Sequence, residues 1–443
     1  GSKFNRRITS ATEMVFTGPA KGSAQLKTKF STDGSKTRGT NNNCANGYTP
    51  WGTYLTCEEN WLNVVSRGAG DNAKRTAKEV ATLNRYGLPE NRKSPYLWDT
   101  VGADDLYARW SSTATGATAT EDYRNIANTF GWVVEIDPFN ATSTPAKRTA
   151  LARINHEGAW PAPAVVGQPI VIYQGDDARN EYIYKFVTKA LWDPRDVGAG
   201  MTAGDKYLSE GKLYVARFDA NGQGEWLELS FTDPRVASFS GYKFANQGDV
   251  YVNARLAADA LGATKMDRPE WGAVNHRNGE IYFSLTNNSA ANRTPSKVDA
   301  ANPRAYMDLD GNKGMGNPNG HIIRFKEAGS TSTAKGFVWD IFLFGAEEDA
   351  GDANVSGLTA KNAFSSPDGL WFSKATGICW IQTDDNAMTD ETNCMLLAAI
   401  PGQVGDGGKV TVKNKMVING VEQTGTQETF VGATLGEAKL RRF

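Results

Sequence analysis

The sequence repeats itself at long range, and that repeat restricts the fold more than any other feature. Pro269-Glu270-Trp271-Gly272 leads to Gly279 and an apolar run through Tyr282 and Phe283. A shift of 98 positions lays this segment on Pro367-Asp368-Gly369, Gly377 and the run through Trp380 and Ile381. Glu270 then falls on Asp368, and Gly279 on Gly377. A third copy starts at Glu157-Gly158 and runs through Ile170 and Val171 to Gly175-Asp176-Asp177. A fourth, weaker copy runs from Asn46-Gly47 to Cys57-Glu58-Glu59. Each copy has a polar residue before glycine, an apolar strand, a turn, a second strand and a polar pair. Units of this kind bury their faces against their neighbours. When their strands run up and down radially, the result is a β-propeller, with equivalent strand ends converging on a central channel.

The spacing exceeds the roughly 40–50 residues of an ordinary blade. Insertions are therefore expected at 193–211, at 287–319 and at 250–262, the last helical because Val252, Leu256, Ala260 and Leu261 share one face. Strand-like runs at 131–137, 169–173, 181–187, 213–218, 280–285, 321–325 and 337–344 are punctuated by Gly, Asn, Asp or Pro. Asp219-Ala220-Asn221-Gly222 marks a hairpin turn between 213–218 and a Trp-bearing strand at 225–230. The expected fold is all-β, a β-propeller with loop and short helical insertions, residues 1–443 forming a single domain. A set of separate β-sandwiches is the alternative.

Composition narrows the partners. With 40% hydrophobic residues the chain can bury a core, and 48 Lys+Arg against 49 Asp+Glu leaves a net charge of −1. That balance carries no electrostatic footprint for nucleic acid or a membrane surface, and no apolar run approaches the roughly 18 residues of a spanning helix. Cys44, Cys57, Cys379 and Cys394 follow no C-x-x-C spacing, and His156, His276 and His321 are the only histidines. A zinc-type site is accordingly not expected, and the histidines are read as structural. Cys379 and Cys394 are open to pairing or to remaining free.

The carboxylates are more informative. In phase, the repeat collects Glu157, Glu270 and Asp368 at one position, and Cys57, Glu58 and Glu59 with Asp176, Asp177, Asp384 and Asp385 at another. Carboxylates gathered at one mouth repel and call for cations. Hard oxygen ligands suit Ca²⁺, Mg²⁺, Mn²⁺ or ferric iron, and a thiolate such as Cys57 would suit a softer transition metal. Arg268, two residues before Glu270 with Pro269 fixing the backbone between, suits an anionic group such as phosphate, or a pairing with a nearby carboxylate. Asp308-Leu309-Asp310-Gly311-Asn312 resembles part of a calcium loop but lacks the following glutamate. No Gly-rich phosphate loop, H-E-x-x-H or G-x-S-x-G motif occurs. A metal-dependent hydrolase, a calcium-dependent lactonase-like propeller and a non-catalytic binding propeller all remain open on the residues alone.

The run from Asn42-Asn43-Cys44 through Thr49-Pro50-Trp51-Gly52 to Thr56-Cys57-Glu58-Glu59-Asn60 closely resembles PhoX-type bacterial alkaline phosphatases. So do His156-Glu157-Gly158, Gly175-Asp176-Asp177, the Asp267-Arg268-Pro269-Glu270-Trp271 run and Ser366-Pro367-Asp368-Gly369-Leu370-Trp371-Phe372. The resemblance implies a six-bladed propeller hydrolysing phosphomonoesters at a multinuclear centre of Fe³⁺ and Ca²⁺ in the channel mouth. It implies Cys57 as an iron thiolate, with Glu157, Glu270, Asp368 and one of Glu58 and Glu59 as carboxylate ligands. Arg268 is implied as the catalytic residue that binds the substrate phosphate, and the metals as the clamp on its oxygens, with no serine nucleophile. It also implies a periplasmic or secreted protein exported folded by the twin-arginine route. The expected partner is a small phosphoester, with no nucleic acid, no membrane and a monomeric state. Gly1-Ser2 reads as a cloning remnant, and Arg441-Arg442-Phe443 reads as an end without a closing strand. The His-Glu-Tyr and Gly-Cys-Glu elements usual in the family are not found, so the chain is expected to lack native terminal segments.

Overall fold

The computed structural model describes residues 1–309 and 313–443; the second half of the calcium-loop-like run, Asp310 to Asn312, lies outside them. Strands dominate, and no helix among the described residues is long and apolar enough to cross a membrane. The chain divides into two compact units, residues 1–172, 185–214 and 228–262 in the first, and 173–184, 215–227 and 263–443 in the second.

In the first unit a six-stranded sheet runs in the order Lys36–Arg38, Glu13–Thr17, Ala146–Arg148, Val133–Ile136, Tyr54–Glu58, Asn43–Tyr48. All its pairings are antiparallel except Glu13–Thr17 against Ala146–Arg148. One apolar cluster gathers Trp61, Leu83, Trp110, Ile126 and Phe130; another joins Phe16 and Trp132 to Val252. The expected helical insertion is two helices, Gln247–Val252 and Ala254–Leu261, broken at Asn253 and ended by Gly262 at φ 70°. The sequence reading missed the helix Ala77–Arg85, although Thr76 and Glu79 form a reciprocal capping box at its start. The 193–211 insertion contains a further helix, Gly200–Leu208.

In the second unit Pro269–Val274, Ile281–Leu285, His321–Glu327 and Gly336–Phe344 are consecutive antiparallel neighbours. A four-stranded antiparallel sheet follows the order Pro367–Phe372, Cys379–Thr383, Leu396–Ala399, Leu440–Arg442. This corrects the sequence reading of the last residues. Leu440 is buried against the core cluster of Tyr282, Phe342, Phe372 and Ile381, and its strand closes that sheet. The four cysteines are free, Cys379 as a buried thiol.

The repeat holds down to individual hydrogen bonds. Pro269 faces Leu285 and Gly272 faces Phe283, with a bulge between; Pro367 faces Thr383 and Leu370 faces Ile381, with the same bulge. Asn43 faces Glu58 and Asn46 faces Thr56, again with one extra residue on the first strand. Just before each bulge stands a non-glycine residue with positive φ: Asn42 at 47°, Arg268 at 63° and Ser366 at 49°. Their carbonyls accept from the backbone N–H of Glu59, Thr286 and Asp384 at 3.2, 3.2 and 3.1 Å. Left-handed backbone at such residues is costly and persists only where its surroundings impose it. Bulges re-aim side chains and recur beside active sites. Here they hold Cys44, Glu270 and Asp368 at one equivalent position.

Candidate active site

In the first unit the bulge residue Cys44 meets two carboxylates. The Cys44 Sγ lies 3.2 Å from Glu157 Oε1. Ligand atoms of Cys44, Glu59 and Glu157 all fall within 4.8 Å of one another. Glu157 comes there because its segment is tied to the hairpin: His156 N–H donates to Glu58 O at 2.9 Å and Ala159 N–H to Asn46 O at 3.4 Å. Gly47 permits that approach, since a Cβ on it would sit 1.9 Å from Ala159 O. His156 is fully buried, with Nε2 2.9 Å from Ala152 O, which fits its structural reading.

Cys57 and Glu58 are placed differently. Cys57 sits on the strand facing the Cys44-Ala45 bulge and is 0% exposed. Burial pushes its thiol well up, and the charges of Glu157 and Glu58 add to the shift. Glu58 accepts Lys147 Nζ at 2.7 Å in a pair whose side chains are both fully buried, and its Oε2 accepts Trp132 N–H. Its carboxyl is nevertheless raised, because burial outweighs the Lys147 charge. Both oxygens are thus engaged by groups of the protein. Of the two adjacent glutamates, Glu59 is the one grouped with a thiol. The signal that singles out Cys44 is the bulge, which residue types alone do not reveal.

In the second unit Arg268 is gripped by two carboxylates. Its Nε lies 2.8 Å from Asp177 Oδ1 and its Nη2 3.1 Å from Asp177 Oδ2 and 2.9 Å from Glu270 Oε1. The carboxylates are almost fully buried, whereas the Arg268 side chain keeps 30% of its surface open. Asp177 follows Gly175, whose Cβ would meet Glu270 O at 2.7 Å, so glycine lets the two segments touch. Asp368 is raised to about 6, by burial first and then by Asp177 and Asp384, with Arg268 opposing. Its Oδ1 is buried without a hydrogen-bond partner. Asp385 instead accepts the N–H groups of Ala387 and Met388 and serves its own loop.

These donors fit hard cations. A buried, unpartnered carboxylate oxygen beside two further carboxylates is a costly arrangement in bare protein, and oxygen ligands are what calcium and ferric iron take. The nearby thiol in the first unit adds a softer donor. Among the histidines, His321 is fully buried, with Nε2 2.9 Å from Ala301 O and Nδ1 3.1 Å from Asn317 Nδ2. His276 is exposed. Neither joins a metal-capable group among the described residues.

Comparison with known proteins agrees with this chemistry. No curated protein sequence matches the chain. The solved structure of Pseudomonas fluorescens PhoX in complex with vanadate, a transition state analogue, matches at a TM-score of 0.75 and 36% identity, covering 94% of this chain and 69% of that one. The all-β propeller class expected from the repeat is borne out by that likeness. The family model for alkaline phosphatase PhoX matches residues 1–438. The chain belongs to the PhoX alkaline phosphatase family.

Proposed function

We propose that the phosphatase activity of this family is carried here by Arg268 and by metal ions held on Cys44, Glu59 and Glu157 in the first unit and on Glu270 and Asp368 in the second. Ferric iron and calcium are the proposed ions, Cys44 supplying the thiolate in preference to Cys57. The observation that carries the reading is Arg268, its guanidinium held by Asp177 and Glu270 with an open face. A fork fixed on one side offers its remaining N–H groups to the oxygens of a phosphate. Asp177 acts as a positioning residue, since its two oxygens set the plane of the guanidinium.

Arg268 alone does not suffice to bind a dianion. Asp177, Glu270, Asp368 and Asp384 outnumber the neighbouring guanidiniums of Arg268 and Arg179, and their summed charge would repel phosphate. Bound cations would reverse that sign, and when present they supply Lewis acidity and lower the pKa of water. Arg268 then holds the equatorial oxygens, whose negative charge must be accommodated as the bond to the leaving oxygen breaks. The family match favours this reading over a lactonase-like hydrolase or a binding propeller. A phosphomonoester is the proposed substrate, and a periplasmic or secreted monomer the proposed state.

The test pairs composition with turnover. The metal-loaded chain should contain iron and calcium by elemental analysis and release p-nitrophenol from p-nitrophenyl phosphate at alkaline pH. A metal-loaded chain without that turnover refutes the reading. Calcium without iron overturns the thiolate assignment alone.

A further inference from the structure

We propose that Arg179 and the small cavity it lines form a leaving-group subsite that selects phosphomonoesters carrying a second anionic group. The inference rests on the phosphatase reading and names the substrate class for it. The cavity, about 190 Å³, lies within the second unit and is lined by Arg179, Asn287, Asn288, Ser289, Ser366 and Asn386, among others. Among the described residues Arg179 is the one charged lining residue, and the other polar side chains of the lining are amides or hydroxyls. These residues offer positive charge and hydrogen-bond donors.

Its position ties it to the phosphate-binding arginine. Arg179 bridges to Asp267 in the backbone, one residue before Arg268. It follows Asp177, the carboxylate that holds Arg268, by two residues. Ser366, which occupies the repeat position equivalent to Arg268, also lines the cavity, two residues before Asp368. The Arg179 guanidinium is held below its ordinary value, first by desolvation and then by the like charge of Arg268, with Asp177 and Asp267 opposing. Two guanidiniums close enough to disfavour each other make a place for two anionic groups of one molecule.

The Arg179 fork is already aimed. Nε and Nη2 both donate to Asn287 Oδ1, at 3.1 and 2.8 Å, so an amide fixes one edge of the guanidinium. At roughly 30 Å³ per water-sized group, the cavity takes about six heavy atoms. That matches a carboxylate on a short carbon chain. A guanidinium–carboxylate contact of this kind contributes enough for about a tenfold preference at a solvent-open site.

Two substrates with the same two-carbon leaving-group skeleton isolate the charge: 2-phosphoglycolate, which carries a carboxylate, and 2-hydroxyethyl phosphate, which does not. Phosphate release by the metal-loaded chain should give a higher kcat/KM for phosphoglycolate. Arg179→Gln should lower the phosphoglycolate to hydroxyethyl phosphate ratio about tenfold, and Arg179→Lys should restore part of it. High salt should compress the wild-type ratio, since the contact is ionic and open to solvent. A wild-type ratio near one, or a ratio that Arg179→Gln leaves unmoved, overturns the inference while p-nitrophenyl phosphate turnover keeps the phosphatase reading. Absence of turnover on all three substrates overturns both.

Discussion

Replacing each of two cysteines by alanine separates the thiol proposed to hold metal from the thiol that packs. Cys57 is fully buried on a central strand and faces the Cys44-Ala45 bulge. Removing its sulfur deletes about one methylene's worth of buried surface, ~0.8 kcal/mol. The cavity left in a packed interior adds a comparable amount, for about 1–2 kcal/mol in total. Cys44 is exposed, with its Sγ against Glu157 Oε1. Its loss in the metal-free protein should cost under about 0.5 kcal/mol, as surface substitutions do. Iron content should behave in the opposite way. Cys44→Ala should lose bound iron, whereas Cys57→Ala should keep it and melt slightly lower, by about 1–2 °C for a change of this size in a chain of 443 residues. Elemental analysis of both variants, with thermal scans of the metal-free forms, checks both halves. If Cys57→Ala loses iron while Cys44→Ala retains it, the argument from the bulge is wrong.

Three other outcomes follow from buried charge. Glu58→Gln leaves Lys147 as an uncompensated buried cation, which should cost about 3–5 kcal/mol in denaturant unfolding. Arg268→Lys replaces a fork that spans Asp177 and Glu270 with a point charge, and should lower kcat/KM on p-nitrophenyl phosphate on the order of 10- to 100-fold. His321 is pushed down to about 4 from 6.5 by burial. Below about pH 6.5 the unfolded chain takes up a proton that the folded chain refuses, so stability falls as pH drops towards 4, by up to about 3 kcal/mol. His321→Gln should flatten that part of the pH–stability curve measured by chemical denaturation.

The repeat was legible in the residues because apolar and turn positions recur with the strands. Gly279 and Gly377 carry φ values of 74° and 75°, and their N–H groups each donate at 2.8 Å to the carbonyl four residues earlier, of Asn275 and Ser373. The pairing of Glu270 with Asp368 followed correctly from that anchor. Partners at long range were not legible. Lys147 is 89 residues from Glu58, and nothing local to Thr56-Cys57-Glu58-Glu59 shows that one of the two glutamates is neutralised by it. The helix Ala77–Arg85 is signalled by its capping box, a local feature that strand periodicity does not carry.

The assignment of the thiol shows why phase alone falls short. Reading Asn46-Gly47 as the polar residue before glycine sets Asn46 beside Glu270 and Asp368, but the register makes Asn46 the counterpart of Gly272, because Asn46 faces Thr56 as Gly272 faces Phe283. The glycine at 47 answers a different need, the passage of Ala159. Once Asn46 is the anchor, the position of Glu270 and Asp368 falls on Cys44, two residues after the positive-φ residue in every case. One backbone device therefore presents a thiol, a glutamate and an aspartate at equivalent places. The residue before the bulge varies independently, as Asn42, Arg268 or Ser366. The proposed cation ligands and the arginine proposed to meet the phosphate can thus come from the same turn without competing for one position, which is how Arg268 and Glu270 stand two residues apart and still touch.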